Sequence, residues 1–166
     1  MAYIFGLKVR YPNSIYLLRG NHETRDCTEH YDFRKQMIYY YDEEVYQTCM
    51  EMFDWLPVSA VVNGQYLALH GGISERFKSL KSINEIKRNQ EPPDNSLMND
   101  LIWADPITGE SATYIGQCEN KSRGTSVKFG WPVLEQLLER ENLKTLVRAH
   151  EMEEDGYKFH NWLGKN

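Results

Sequence analysis

Apolar residues in this chain occur in short runs of strand length, separated by segments with the periodicity of amphipathic helices. The first run, residues 15–18, is wholly apolar and stops just before Gly20, a pattern that predicts a buried strand. Two further runs lie on either side of Asn63-Gly64, a dipeptide that favours the tight turn of a β-hairpin. A fourth run covers residues 143–147. Runs of this kind, alternating with helical segments, predict an α/β fold.

Helical periodicity is clearest in residues 28–53, where Asp42 is a candidate N-cap and Pro57 ends the pattern. Residues 82–85 have the spacing of a capping box and predict the start of a short helix. The polar stretch 109–121 shows no periodicity, so we expect a surface loop there.

The composition is that of one globular domain, since 166 residues with 41% hydrophobic and 26% charged residues supply enough apolar material for a core. No run approaches the roughly 18 apolar residues of a membrane span, and the first residues lack the pattern of a signal peptide. The net charge of −5 without a Lys/Arg run argues against nucleic acid as a constitutive partner. Three cysteines without a C-x-x-C pair indicate free thiols, so we expect the protein in the cytoplasm or nucleus.

Three of the apolar runs end near a side chain that can bind a metal ion. Asn21 follows the first run, His70 follows the second arm of the predicted hairpin, and His150 follows the last run. Ligands of open α/β sheets sit beyond the carboxyl ends of the strands, so we expect these side chains to converge. Two imidazoles and an amide oxygen form a mixed N/O set suited to zinc, manganese or iron.

Two other residues are candidates for chemistry on a phosphate. His22 adjoins Asn21, and an imidazole suits the donation of a proton to a leaving oxygen. Arg123 precedes a flexible glycine, and its guanidinium can clamp a phosphate bidentately. Arg19 and Arg148 are weaker candidates of the same kind.

Each of these residues also has a simpler structural interpretation, as a hydrogen-bonded core histidine or a surface ion pair. Asp105 stands in a similar strand-end setting, but its place before a proline predicts a turn residue. The conjunction of the other residues is what favours a site.

Five motifs stand in a fixed order along the chain. They are Leu-Leu-Arg-Gly-Asn-His-Glu at residues 17–23, Leu-His-Gly-Gly-Ile-Ser at 69–74, Leu-Ile-Trp-Ala-Asp-Pro at 101–106, Arg-Gly at 123–124 and Arg-Ala-His-Glu at 148–151. In order and spacing they resemble the phosphoprotein phosphatase family of metal-dependent serine/threonine phosphatases. Within that family the chain is most similar to the calcineurin (protein phosphatase 2B) catalytic subunit, through residues 28–31, 53–57 and 91–93.

The resemblance implies a metallophosphoesterase-type β-sandwich flanked by helices. It also implies a dinuclear Fe/Zn or Mn centre that activates water for attack on phosphoserine or phosphothreonine. By resemblance, Asn21, His70 and His150 are metal ligands, His22 is the proton donor, and Arg123 binds the phosphate. Asp105 is not the bridging ligand in this family, which favours its interpretation as a turn residue.

The 166 residues lack the family's Gly-Asp-x-His-Gly and Gly-Asp-x-x-Asp-Arg-Gly motifs and its Ser-Ala-Pro-Asn-Tyr loop. Those segments carry the other metal ligands and a second phosphate arginine. The resemblance therefore identifies residues 1–166 as the central portion of a catalytic domain with an incomplete sandwich. We expect the isolated chain to hold at most one metal ion, weakly, and to be inactive. Thr24 in place of cysteine and Glu75 in place of proline are smaller departures.

The parent domain is expected to hydrolyse phosphoserine and phosphothreonine in proteins. By resemblance its partners are phosphoprotein substrates and, through downstream segments absent here, a calcium-sensing regulatory subunit and calmodulin. The alternative is a non-catalytic binding or structural component derived from a phosphatase.

Overall fold

The computed structural model describes residues 1–160 and residue 162, and this part of the chain contains seven α-helices and six β-strands. A short 3₁₀ helix covers Glu110–Thr113. The α-helices are α1 (Ala2–Arg10), α2 (Arg25–His30), α3 (Phe33–Tyr40), α4 (Glu43–Trp55), α5 (Leu80–Asn84), α6 (Leu97–Trp103) and α7 (Trp131–Arg140). The strands are β1 (Ser59–Val62), β2 (Tyr66–Leu69), β3 (Asp105–Pro106), β4 (Gln117–Glu119), β5 (Val127–Phe129) and β6 (Thr145–Val147).

The described strands form two sheets of three strands each. In the first sheet β2 is central, antiparallel to β1 and parallel to β6. In the second sheet β5 is central, parallel to β3 and antiparallel to β4. Two mixed sheets with helices around them confirm the predicted α/β fold class.

The hairpin of β1 and β2 forms as its turn sequence predicts. Asn63 and Gly64 both have positive φ, 51° and 66°, which is the backbone that a type I′ turn requires. Gln65 N–H donates a hydrogen bond to the carbonyl of Val62 at 3.0 Å and closes the turn. The hairpin thereby fixes the end of β2, where His70 follows.

One buried apolar core joins both sheets to the helices around them. Its members come from β2, β5, α6 and α7, and they exclude water from the space between these elements. Five of the most deeply buried, each at most 3% exposed, are Leu67, Leu69, Leu101, Phe129 and Leu137.

The region predicted as helical over residues 28–53 is divided among α2, α3 and α4. Asp42 caps α4 as predicted, because its carboxylate accepts a hydrogen bond from Val45 N–H at 2.9 Å. No helix in the described part of the chain is long and apolar enough to cross a bilayer. The buried face of α4 forms a second apolar cluster of Tyr46, Cys49, Met50 and Phe53.

The first apolar run, residues 15–18, is not a strand, so that prediction is wrong. Tyr16 within it is 72% exposed. Just beyond the run, Arg19 N–H donates to the carbonyl of Pro57 at 2.8 Å. None of the described strands pairs with residues 15–18, so they lack the ladder of hydrogen bonds that defines a strand.

Two other local predictions are also wrong. The capping box is formed by Ser79 and Ser82, so α5 begins at Leu80 and not after Ser82. Residues 109–121 are not an irregular loop, because they contain the 3₁₀ helix and β4. Pairing with β5 gives β4 its regular structure, and such a long-range contact leaves no periodicity in a short polar segment.

Candidate active site

Asn21, His70 and His150 come together beyond the ends of β2 and β6. Nε2 of His70 lies 2.8 Å from Oδ1 of Asn21 and 3.2 Å from Nδ1 of His150. Two ligands at about 2.1 Å from one tetrahedral or octahedral metal ion lie about 3 to 3.5 Å from each other. The spacing of these three donor atoms is therefore close to that of a metal ligand set.

The pairing of β2 with β6 places the two histidines side by side. It continues past the strand ends, since Ala149 N–H donates to the carbonyl of His70 at 3.0 Å. His150 has a left-handed backbone with a φ of 66°, which is uncommon for a residue other than glycine. In this conformation its ring centroid lies 5.0 Å from that of His70 and 5.5 Å from that of Trp103.

A tight loop before α2 holds Asn21 against the end of β2. Gly20 N–H donates to the Glu23 carboxylate at 2.9 Å, and the Thr24 hydroxyl donates to the carbonyl of Asn21 at 2.7 Å. A Cβ atom at Gly20 would lie 2.8 Å from Nδ1 of His70, so a side chain at this position would push the loop away from β2. Asn21 itself is only 3% exposed.

Arg19 supports this loop from inside the protein. Its side chain is fully buried, and its Nη2 donates to Asp54 at 2.9 Å. Its Nε donates to the carbonyl of Glu23, and its Nη1 donates to that of Gln90, each at 2.9 Å. Because all three guanidinium nitrogens are engaged, the structure contradicts the prediction that Arg19 is a candidate phosphate binder.

Arg148 is engaged in a similar way. Its Nε donates to the carbonyl of Gly71, its Nη1 pairs with Glu151, and its Nη2 donates to Asp105 at 2.9 Å. The side chain is only 9% exposed. Arg148 thus fixes the backbone beyond β2, and it too is contradicted as a phosphate binder.

The two imidazoles of the cluster are held in the neutral form. Burial, together with the nearby charge of Arg148, lowers the pKa of His70 to about 4. Burial also lowers the pKa of His150 to about 4, with the charge of Arg123 as the next cause. A neutral imidazole retains a lone pair for a metal ion. Nε2 of His150 is buried without a hydrogen-bond partner among the described residues.

His22 and Arg123 are both exposed residues in the neighbourhood of this cluster. The charge of Arg123 is among the causes that lower the pKa of His70 and of His150. The ring of His22 packs 4.7 Å from that of Tyr31, centroid to centroid. The side chain of Arg123 is 32% exposed, and its Nε donates to Asp105 at 2.9 Å.

Asp105 is the residue of the site that sequence reasoning missed. It is 3% exposed, and its carboxylate accepts hydrogen bonds from Arg123, Asn120 and Arg148 at 2.9, 3.0 and 2.9 Å. Burial raises the pKa of this carboxyl, but the hydrogen bonds from Arg123 and Asn120 outweigh burial and hold the pKa below its usual range. The prediction of a simple turn residue is wrong, because pairing of β3 with β5 buries Asp105 beside the cluster. An acidic residue closing an apolar run was the signal in the sequence.

Oδ1 of Asn21, Nε2 of His70 and Nδ1 of His150 are candidate donors to a metal ion. Among the described residues, no group of three or more His, Cys, Asp or Glu side chains could hold a metal ion. The third donor of the cluster is the amide of Asn21, which is neutral like the two imidazoles. Three neutral donors at this spacing fit one divalent ion, held weakly until anionic ligands are added.

Comparisons with known proteins identify the family. The family model described as calcineurin-like phosphoesterase matches residues 1–154. The chain is 36% identical over 169 residues to the serine/threonine-protein phosphatase 2B catalytic subunit A1 of Saccharomyces cerevisiae, covering 96% of this chain and 31% of that protein. It is 38% identical over 156 residues to serine/threonine-protein phosphatase 5 of Homo sapiens, covering 93% of this chain and 30% of that protein.

A solved protein serine/threonine phosphatase from Saccharomyces cerevisiae, with similarity to human phosphatase PP5, superposes with a TM-score of 0.82 at 29% identity. The match covers 90% of this chain and 45% of the solved one. The chain spans about a third of the length of the curated relatives it matches. These findings confirm the predicted metallophosphoesterase fold and the predicted likeness to serine/threonine phosphatases. The chain belongs to the calcineurin-like phosphoesterase family.

Proposed function

We propose that this chain is part of a metal-dependent phosphatase that hydrolyses phosphoserine and phosphothreonine in proteins. The observation that most directly supports the proposal is the convergence of Oδ1 of Asn21, Nε2 of His70 and Nδ1 of His150. The relatives that this chain matches are named as serine/threonine-protein phosphatases, which supports the proposed substrate class.

Asn21, His70 and His150 would hold a divalent metal ion, and members of this family generally use two. When bound, such ions supply a nucleophile at neutral pH and stabilise charge on the phosphoryl oxygens. The mixed N/O donors suit manganese or an iron and zinc pair. We propose that the isolated chain holds at most one of these ions.

The remaining steps fall to two side chains at the rim. His22 would donate a proton to the serine or threonine oxygen as it leaves phosphorus. Arg123 would bind two phosphoryl oxygens through Nη1 and Nη2, which have no hydrogen-bond partner among the described residues. Both side chains are exposed enough to meet a phosphorylated peptide.

We further propose that residues 1–166 are the central portion of the catalytic domain and are inactive alone. The three clustered donors are all neutral, and the Asp105 carboxylate is already bonded to Arg123 and Arg148. A dinuclear centre needs anionic ligands, commonly with one that bridges the ions. Other segments would have to supply them.

The proposed location is the cytoplasm or nucleus, where the thiols of Cys27, Cys49 and Cys118 stay reduced. Phosphoproteins are the proposed substrates. By likeness to the 2B relative, a calcium-sensing regulatory subunit and calmodulin are proposed partners of the longer protein.

Metal titration of the 166-residue chain tests the site. Co²⁺ absorption and Mn²⁺ calorimetry should show one weak site, and His70→Gln or His150→Gln should weaken it by roughly tenfold or more. His30→Gln is the matched control, because His30 is exposed at the end of α2. If neither His70→Gln nor His150→Gln lowers the affinity for the metal ion, the proposed site is contradicted.

A phosphatase assay tests the second part of the proposal. With a phosphoserine peptide and Mn²⁺, the isolated chain should give no turnover above buffer. Turnover comparable to that of an ordinary phosphatase would contradict the proposed incompleteness while supporting the proposed reaction.

A further inference from the structure

We propose that Asp105 is the positioning residue of the phosphate site: it holds the Arg123 guanidinium by Nε so that Nη1 and Nη2 stay together and face the substrate. The inference rests on the proposed function, since it assigns the support of the arginine that would bind the phosphate. It extends that function to a carboxylate that is bonded to Arg123 and Arg148 and lies 3.8 Å from Nε2 of His150.

Asp105 divides its two carboxylate oxygens between two arginines. Oδ1 accepts from Nη2 of Arg148, and Oδ2 accepts from Nε of Arg123, both at 2.9 Å. Asn120 donates to Oδ2 as well, at 3.0 Å. An ionised carboxylate has about four acceptor sites, so it can bind all three donors at once.

The two arginines differ in which guanidinium nitrogens remain available to bind a ligand. Arg148 is 9% exposed, and its other nitrogens are bonded to Gly71 and Glu151. Arg123 is 32% exposed and uses only Nε among the described residues. The contact of Asp105 with Arg148 is therefore structural. Its contact with Arg123 leaves Nη1 and Nη2 of that arginine available to donate hydrogen bonds.

The hydrogen bond from Nε to Asp105 anchors the Arg123 side chain before a ligand binds. An arginine side chain loses rotamer freedom when it binds a ligand, and this loss weakens affinity. Anchoring by Nε removes much of that freedom beforehand and leaves the Nη1 and Nη2 edge in the plane that matches two oxygens of a phosphate. Asp105 is itself rigid, since it is buried and paired in β3 with β5.

Asparagine at position 105 would break this arrangement without changing the size of the side chain. Its amide has one acceptor oxygen, whereas the carboxylate faces donors on both oxygens. One arginine would then meet an N–H group instead of an acceptor. Since Arg148 is held by several other bonds, we expect Arg123 to be the one released.

The direct test observes Arg123 in the unaltered chain by NMR. The Nε–H signal of Arg123, assigned by its absence in Arg123→Ala, should exchange slowly with water in the wild type. In Asp105→Asn it should exchange as fast as the Nε–H of an exposed arginine such as Arg34. A fast-exchanging signal in the wild type overturns the proposal, and this result does not depend on whether Asp105→Asn folds.

The functional test is a double-mutant cycle read by the affinity for inorganic phosphate in the presence of Mn²⁺. Asp105→Asn should weaken phosphate binding about tenfold in the wild type, but less than about twofold when Arg123→Ala is already present. Asp100→Asn is the matched control: Asp100 is a fully buried carboxylate bonded to Ser74, Arg76 and Ser126 and should leave phosphate affinity within about twofold.

The outcomes separate the two proposals. If wild type binds phosphate but Asp105→Asn has no effect, or has the same effect with and without Arg123, the positioning role is overturned. An equal loss in Asp100→Asn overturns it too, because any buried charge change would then suffice. If wild type shows the slow Nε–H signal but binds no phosphate, the proposed phosphate role of Arg123 fails instead.

Discussion

Nε2 of His70 lies 2.8 Å from Oδ1 of Asn21, although 49 residues separate the two side chains. This contact joins the loop before α2 to the central strand of the first sheet. On the other side of His70, Nδ1 of His150 lies 3.2 Å away. The three donors therefore depend on each other's position, and the protonation of either histidine affects the whole cluster.

Lowering the pH from 7 to 5 should destabilise the metal-free chain. His70 and His150 have a pKa of about 4 in the folded state, against about 6.5 when unfolded. Between these values the unfolded chain takes up protons that the folded chain does not. The stability is thus fully present above about pH 6.5 and is lost as the pH falls towards 4. Each histidine contributes roughly 2 kcal/mol of loss by pH 5.

Urea unfolding at pH 7, 6 and 5 in the presence of a chelator measures this dependence. His150→Gln should remove about half of the loss attributed to the pair, whereas His30→Gln on the exposed end of α2 should leave it unchanged. The same pH dependence in His150→Gln and wild type would contradict the neutral cluster.

Asp54→Asn should destabilise the chain by about 3 kcal/mol. Arg19 is fully buried and pairs with Asp54 at 2.9 Å, so loss of that carboxylate leaves a cation in the interior with weaker compensation. Glu91, 3.7 Å from Arg19, limits the loss. The midpoint of urea unfolding is the measurement. Glu29→Gln is the control, because it removes a charge from an exposed ion pair, and it should leave the midpoint unchanged. An equal shift of the midpoint in Asp54→Asn and Glu29→Gln would contradict the prediction.

Gly71→Ala should destabilise the chain by about 2 to 3 kcal/mol and weaken metal binding at the adjacent His70. A Cβ atom here would lie 2.5 Å from the carbonyl carbon of Ile102 and 2.6 Å from the nitrogen of Trp103, and these backbone atoms cannot swing aside. Gly6→Ala is the control, because its Cβ would meet nothing within 4 Å in α1, and it should stabilise the chain slightly. If Gly71→Ala has the same midpoint of thermal unfolding as the wild type or a higher one, the predicted clash with Ile102 and Trp103 is contradicted.

Local signals in the sequence were sufficient for the hairpin and for the cap of α4. Asn63 and Gly64 need no distant partner to adopt positive φ, and Asp42 caps the first turn that follows it. The convergence of His70 and His150 was also predictable, since both follow strands and ligands gather beyond strand ends. Asn21 joins them as predicted, although the run before it is not a strand.

Features that depend on distant pairing were not predictable in this way. Residues 15–18 have the composition of a buried strand, but a strand also needs a neighbour to complete its hydrogen bonds. Asp105 looks like a turn residue locally, and only the pairing of β3 with β5 brings it to Arg123 and Asn120. Burial created by long-range contacts leaves no trace in a window of a few residues.

Within the described part of the first sheet β2 is hydrogen-bonded on both sides, whereas β1 and β6 are edge strands. Fraying at the β6 edge would carry His150 away while Asn21 and His70 remain in contact. An ion bound by all three side chains would then hold β6 against β2. Metal binding and the pairing of these two strands would therefore be linked in one equilibrium.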